Sequence, residues 1–429
     1  MTPPTTASVR IPGRTKLMVT LFVAGVCGST GHSMSLAVGA ILAASLTGTN
    51  TWSGLPVSVG ALGTALASWP LARFMGRAGR RPGLALGYGL AVAGAVIGML
   101  GVMAGSFALM LAGMVFFGIG NTSNLLARYA AADISQPEQR GKAMGIIVWG
   151  SAAGSILGPM LMDPALRVGA AIGIASAASA FLVSVAGYGV AAVLTAALLR
   201  PDPLAIAREQ EARAGRVAGL DEARPAGPAR RFGQLLADVR VQIALTTLMV
   251  SQFVMIATTS TSPVYLHDQG HPVGTIGAAV ALHLAGMYVT SPLSGWMADR
   301  LGRLVTIGLG AVVLIAAVFL AGFTPGSNGP LVITGLFLNG IGWNFAFVAA
   351  SALLTDALAP SERASVQGLA DLFTGLMGAL GSAAGGMILG IWGFAILNVV
   401  GAALTFGPLA ATLLRRPALA AASLRTPLL

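Results

Sequence analysis

Fourteen acidic side chains are spread over 429 residues, and one of them stands where an acid is costly. Asp202, Glu209, Glu211, Asp221, Glu222 and Asp238 share one polar stretch, while Asp133, Glu138, Asp299, Asp356 and Glu362 sit beside shorter arginine-bearing segments. Asp163 and Asp268 mark the far ends of apolar runs. Asp371 alone lies inside one, "GLADLFTGLMGALGSAAGG", two turns past Arg363 and so roughly 12 Å along a helix at 1.5 Å per residue. A carboxylate at that depth in hydrocarbon is a functional candidate by default, able to take and release a proton. A plainer reading stands beside it: an ion pair with Arg128 or Arg363 that locks helix ends together. His32 and His283 also fall in apolar segments, where an imidazole either relays protons near neutral pH or is simply a hydrogen-bonded packing group. His267, His271 and the single cysteine, Cys27, are scattered, so neither a metal nor a cofactor is expected.

The elements that must hold these groups follow from composition. The chain is 55% hydrophobic and 9% charged, with a mean hydropathy of +0.81. Soluble domains carry about 25% charged residues, so this is an integral membrane protein. A spanning helix needs about 20 mostly apolar residues. Twelve such stretches occur, near 17–45, 53–75, 83–104, 107–130, 142–162, 171–199, 241–266, 275–297, 305–323, 331–354, 365–388 and 391–413. They are long, rich in Leu, Ala and Gly, and do not alternate, which predicts helices rather than a barrel. The first is too long for a signal-peptide core and is expected to be retained.

Charge sets the orientation. With the N-terminus in the cytoplasm, every Lys and Arg except Arg167 falls on the cytoplasmic side, as the positive-inside rule requires. The net charge of +11 is thereby explained without nucleic acid, by loops that face anionic lipid. Both termini are expected in the cytoplasm, with the chain in the plasma (inner) membrane. Residues 201–239 form the one substantial polar stretch, a cytoplasmic linker between an N-terminal six-helix bundle, 1–200, and a C-terminal one, 240–429. Part of that linker could lie on the membrane as an amphipathic helix.

The two halves repeat at an offset of 223 residues. "DISQPEQRGKAMG" at Asp133 matches "DALAPSERASVQG" at Asp356, aligning Pro137 with Pro360, Arg140 with Arg363 and Gly145 with Gly368. The same offset carries Arg77, Gly79 and Arg80 onto Arg300, Gly302 and Arg303, Gly54 onto Gly277, and Asn121 onto Asn344. Six helices per half keep both copies in one orientation. The repeat is therefore parallel, about an axis along the membrane normal, with a site at midplane between the halves.

These motifs carry a family resemblance. "GWMADRLGR", Gly295 to Arg303, is similar to the signature loop of the major facilitator superfamily; "ARFMGRAGRR" is the first-half copy, with Gly76 where the aspartate belongs. Gly145, Gly154, Gly158 and Pro159 in "GIIVWGSAAGSILGP" resemble the helix-5 motif of its drug/proton antiporters, although Met162 and Asp163 replace the trailing glycines. The branch's helix-4 arginine is absent, with Met114 at its position. The resemblance implies that Gly295, Asp299, Arg300, Gly302 and Arg303, with Arg77, Gly79 and Arg80, latch the cytoplasmic face in the outward-open state. Physically, Asp299 can accept from a helix N-terminus of the other half, and Arg300 and Arg303 can hold Asp299 or Asp133. Gly150, Gly154 and Gly158 share a face that admits a close helix neighbour, for gating or for packing alone, and Pro159 should bend that helix near its end.

The resemblance also implies that helices 1, 4, 7 and 10 line the cavity. That points to Asn121, Asn124, Gln252, Asn339 and Asn344, with Trp343 and Trp149 as apolar walls, though each amide could instead be interhelical glue. Such a cavity carries little fixed charge and suits lipophilic or cationic organic compounds. The expectation is a twelve-helix, monomeric, proton-coupled carrier that expels small organic molecules by antiport, through Asp371, His283 or His32. A symporter or uniporter importing a nutrient and a non-transporting receptor or scaffold are the competing readings. No nucleophile–base pair or phosphate loop suggests an enzyme.

Overall fold

The computed structural model describes residues 13–136, 139–174, 176–217, 235–325, 327–358 and 360–423. Pro137, Glu138 and linker residues 218–234 lie outside them. The first half comprises α1 (Arg14–Thr47), α2 (Leu55–Ala78), α3 (Arg80–Met103), α4 (Phe107–Asp133), α5 (Arg140–Met160), a short α6 (Met162–Ala171) and α7 (Ser176–Leu198). After α8 (Pro203–Val217), the second half comprises α9 (Val239–Asp268), α10 (Val273–Val289), α11 (Ser291–Arg300), α12 (Arg303–Phe323), α13 (Gly329–Asp356) and α14 (Pro360–Ser423).

Twelve membrane crossings emerge from these elements. Eleven helical stretches are long and apolar enough to span, and the last, Leu369–Leu414, is 46 residues long. Gly393, with φ 86°, breaks α14 within that stretch and makes it two crossings. The eighth crossing is also broken, since α10 ends at Val289 and α11 begins at Ser291 with a proline in its first turn. Pro292 has no N–H to donate, so a helical hydrogen bond is missing at the junction. The expected crossing near 275–297 is thus present as one span, Val273–Arg300, with a junction inside it. The sixth crossing begins at Ser176 rather than 171, because 162–171 folds as a separate helix after Pro159.

Within the first half α1 packs on α5 and α7, α3 on α4 and α7, and α2 on α4; in the second, α9 packs on α14, α12 on α13, and α10 on α13. The halves are joined chiefly by α1 with α9, α2 with α14, and α5 with α10, and residues 50–52 also meet α14 and α6 meets α10. They obey the sequence repeat. A Cβ on Gly54 would overlap the carbonyl oxygen of Ser382, and a Cβ on Gly277 would overlap that of Pro159. Both members of each contact shift by 223 residues, so the two contacts are copies of one another. Beside the first, the Ser58 hydroxyl donates to the Ala379 carbonyl at 2.7 Å and that of Ser382 to Gly54 at 2.8 Å.

All these joints lie toward the face opposite the arginine-rich ends. There Asn50 also donates to Asp268 across the halves at 2.6 Å. The molecule is thus closed on that face, and the space between the halves widens toward the arginines.

The glycine face of α5 is occupied by α1. Gly150 meets the Phe22 ring, Gly154 the Val26 backbone, and Gly158 the Thr30 carbonyl and Ser33 hydroxyl. Close backbone approach of this kind is how helices associate where lipid leaves no hydrophobic driving force. Gly145, by contrast, has open space around it. Gly154→Leu should therefore destabilise the detergent-solubilised protein by about 1–3 kcal/mol of overpacking, read as a lowered melting temperature, while Gly145→Leu should leave it unchanged.

Candidate functional site

A cavity of about 490 Å³ opens between the halves. It is walled by α2 (Val57, Leu62, Thr64, Ser68), α4 (Asn121, Leu125, Arg128, Tyr129), α9 (Gln252, Ile256) and α14 (Asp371, Leu372, Gly375, Leu376). Its lining is mostly apolar, with one carboxylate and one guanidinium. Asp371 faces the open space and makes no ion pair within 4.0 Å among the described residues. Arg128 lies with its guanidinium carbon 5.1 Å from the Tyr129 ring centre, and its Nε is buried without a hydrogen-bond partner. The expected cavity of little fixed charge is corrected by this arginine, which sequence reading had placed at a helix end on the cytoplasmic surface. The alternative that Asp371 is locked to Arg128 is not met here, and the Arg363 side chain lies outside the described residues.

Of the amides expected to line the cavity, Asn121 and Gln252 do so. Gln252 is positioned by Trp343, whose Nε1 donates to its Oε1 at 2.9 Å while the indole stacks on Phe347 at 4.6 Å. Trp343 thus supports the wall from behind. Asn124 faces into the first bundle and accepts from the Tyr88 hydroxyl at 3.0 Å. Asn339 is 1% exposed within the second bundle. Asn344 serves the break in the eighth crossing: its Nδ2 donates to the Met287 carbonyl at 2.6 Å and to the Ser291 hydroxyl at 2.9 Å. Trp149 is 70% exposed on the outside of α5 and is not a cavity wall.

Both candidate histidines are bundle residues. His283 is 1% exposed, with Nδ1 2.9 Å from the Leu336 carbonyl and Nε2 3.2 Å from the Thr259 hydroxyl. A carbonyl only accepts, so Nδ1 carries a proton and donates to Leu336, while Nε2 and the Thr259 hydroxyl share the second hydrogen bond, and the ring is held at both ends. His32 places Nδ1 3.1 Å from the Tyr188 hydroxyl inside the first bundle. Neither lines the cavity.

At the arginine-rich face the repeat builds two matching latches. Gly79 (φ 112°) and Gly302 (φ 96°) take backbone conformations that suit glycine, each just before a helix. The next residues reach equivalent carboxylates: Arg80 Nε to Asp133 at 2.7 Å, and Arg303 Nε to Asp356 at 3.2 Å. Arg303 also holds Asp299. Asp299 was expected to accept from a helix N-terminus of the other half. Here it is bound within its own half, to Arg303, and is largely exposed. Arg77 and Arg300 are exposed, and Gly295 has open space around it.

Where Gly76 lacks the second-half aspartate, Asp202 from the linker substitutes. Its carboxylate accepts from the backbone N–H of Arg80 at 3.1 Å and of Arg81 at 2.9 Å, capping α3. Arg208 of α8 ties down the Gly76 carbonyl at 2.7 Å. Sequence reading grouped Asp202 with the tether; only its place just ahead of a helical, arginine-bearing segment hinted at a docked role.

A family model, described as Major Facilitator Superfamily, matches residues 21–277 and 265–426. The chain belongs to the Major Facilitator Superfamily. It is 32% identical over 390 residues to the uncharacterized MFS-type transporter YdeG of Bacillus subtilis (strain 168), covering 90% of this chain and 89% of that one. It is 29% identical over 362 residues to the riboflavin transporter RfnT of Brucella anthropi, covering 82% and 84%. Among solved structures, a bacterial homologue of the human lysosomal transporter Spinster, inward-facing and unoccupied, superposes with a TM-score of 0.68 at 17% identity over 94% of this chain and 95% of that one. The superfamily is one of transporters, and a small-molecule substrate is expected of this member.

The two kinds of amide should separate in experiment. Asn344→Leu strands the Met287 carbonyl and Ser291 hydroxyl and should cost about 1–3 kcal/mol of stability. Asn121→Leu, at the cavity wall, should melt like wild type and alter transport instead. Thermal melting beside a flux assay distinguishes them.

Proposed function

We propose that this protein is a proton-coupled secondary transporter of small organic molecules, working by alternating access, with Asp371 as the group that carries the proton. One observation carries the reading: among the described residues, Asp371 is the only acid lining the cavity between the bundles. An acid within the bilayer is retained where it serves transport, and this one faces the path a substrate would take. The arginine-rich face is the cytoplasmic one on the positive-inside rule, so the conformation is open to the cytoplasm and the latches of Arg80 and Arg303 engage across the halves only in the opposite state. His32 and His283 are then packing residues of their bundles. The mostly apolar lining suits a lipophilic body, and the likeness to RfnT supports an aromatic one.

Two modes of coupling have support. Expulsion by exchange with protons is favoured by the α5 glycine pattern, and it would give Asp371 a proton and a cationic substrate in turn. Cotransport is favoured by Arg128, a fixed cation in the same cavity. The test is dissipation or formation of a pH gradient on adding a panel of lipophilic compounds to membrane vesicles, wild type beside Asp371→Asn at matched expression. Exchange appears as loss of an acid-inside gradient in everted vesicles, and cotransport as alkalinisation of the medium around right-side-out ones. Either signal should vanish in Asp371→Asn. A variant that keeps the compound-dependent proton movement would contradict the assignment.

A further inference from the structure

Arg128 belongs to none of the superfamily motifs in the chain, and among the described residues no ion pair within 4.0 Å absorbs its charge. Its only hydrogen bond among the described residues is a long one, Nη2 to the Tyr129 hydroxyl at 3.5 Å. Its Nε is buried without a partner, and the guanidinium is stacked on Tyr129 at the cavity wall. A planar guanidinium with unused donors is a bidentate receptor for carboxylate, sulfonate or phosphate. Opposite it, the lining offers one carboxylate, Asp371.

We propose that Arg128 is the binding site for an anionic group on the substrate, an aromatic or otherwise flat amphiphilic acid, and that this site makes proton and substrate travel together. The proposal rests on the reading that Asp371 carries the proton, and selects cotransport among its modes. The reasoning is charge balance. In the empty carrier, ionised Asp371 and Arg128 together are neutral. When the substrate anion takes its place on Arg128, Asp371 accepts a proton from solution, forming one O–H bond, and the loaded cavity is again neutral.

The two mixed states are charged. Protonated Asp371 without substrate leaves Arg128 uncompensated, and substrate with ionised Asp371 leaves a net negative charge. Moving a net charge through a closed, low-dielectric intermediate is costly, because buried charge is tolerated only when compensated. Only the empty and the doubly loaded forms then cross readily, and each cycle carries one anion with one proton. Around Asp371, the charged or titratable lining groups are Arg128 and Tyr129 from α4; α2 and α9 contribute Ser68, Thr64 and Gln252, which do not titrate.

The test uses the full-length protein in proteoliposomes and a panel of naphthalene and indole sulfonates, which stay ionised and cross lipid poorly, beside the matching sulfonamides. Wild type should bind the best sulfonate about tenfold or more tightly than its sulfonamide, the advantage of a charge-assisted pair. Binding should draw about one proton from a weakly buffered medium, and uptake should follow the pH gradient while ignoring an imposed potassium diffusion potential. Arg128→Gln should erase the preference and spare the sulfonamide, and Arg128→Lys should restore part of it. Asp371→Asn, a mimic of the protonated acid, should bind the sulfonate with no proton uptake. Wild type that binds no sulfonate better than its sulfonamide overturns the proposal, even if Arg128→Gln fails to fold. So does an Arg128→Gln variant that keeps the preference. If the preference depends on Arg128 but proton uptake survives in Asp371→Asn, the anion site stands and the proton assignment falls.

Discussion

Two backbone contacts hold the halves of this molecule together at one end. Gly54 lies against the carbonyl of Ser382 and Gly277 against that of Pro159, too close in each case for any side chain. The repeat makes them equivalent, so the closed face has the same construction on both sides of its axis. Within the first bundle α1 is packed on the glycine face of α5, and α3 packs on both α4 and α7. The cavity with Asp371 and Arg128 lies between the two bundles. Arg80–Asp133 and Arg303–Asp356 are pairs within each half. As partly exposed ion pairs they contribute only about 0–1 kcal/mol each to stability, so their place at helix junctions matters more than their strength.

The cavity joins a largely apolar wall to two opposite charges. Such an arrangement is unfavourable for an isolated fold in lipid and is tolerable where the charges are met in turn by proton and substrate. Gln252 is fixed from behind by Trp343, and Asn121 lines the same cavity from α4. The neutral donors and acceptors thus sit beside the two charges in one lining. His283 and His32 are hydrogen-bonded inside their bundles and stand away from this lining.

How much of this was legible in the sequence differs by level. The crossings and their repeat were readable because hydropathy is summed over about 20 residues, and because glycines, prolines and charges at junctions recur at one offset. Asp371 stood out for the same reason: a lone acid in an apolar run has few alternative explanations. Facing was not legible. Asn124, Asn339 and Asn344 lie on helices that are apolar all round, so no polar stripe shows which side meets the cavity, and all three turn inward to their own bundles. Trp149 fails for the same reason, with α5 presenting its glycine side to α1. Arg128 looked like one more positive-inside arginine five residues before Asp133, and only the opening of the halves reveals that it lines the cavity. The cap by Asp202 depends on the linker folding back over α3, a tertiary event that composition does not report.

The central claim, that one cavity is offered alternately to the two faces, can be tested most directly at Gly375. This position lines the cavity and has open space for a side chain. Gly375→Cys, in a background with Cys27 replaced by serine, should react with a membrane-impermeant maleimide added from either face, tested in vesicles of both orientations, and the balance between faces should shift with the pH gradient. Reaction from the arginine-rich face alone, unmoved by gradient or substrate, would contradict the account and leave a fixed vestibule in place of a carrier.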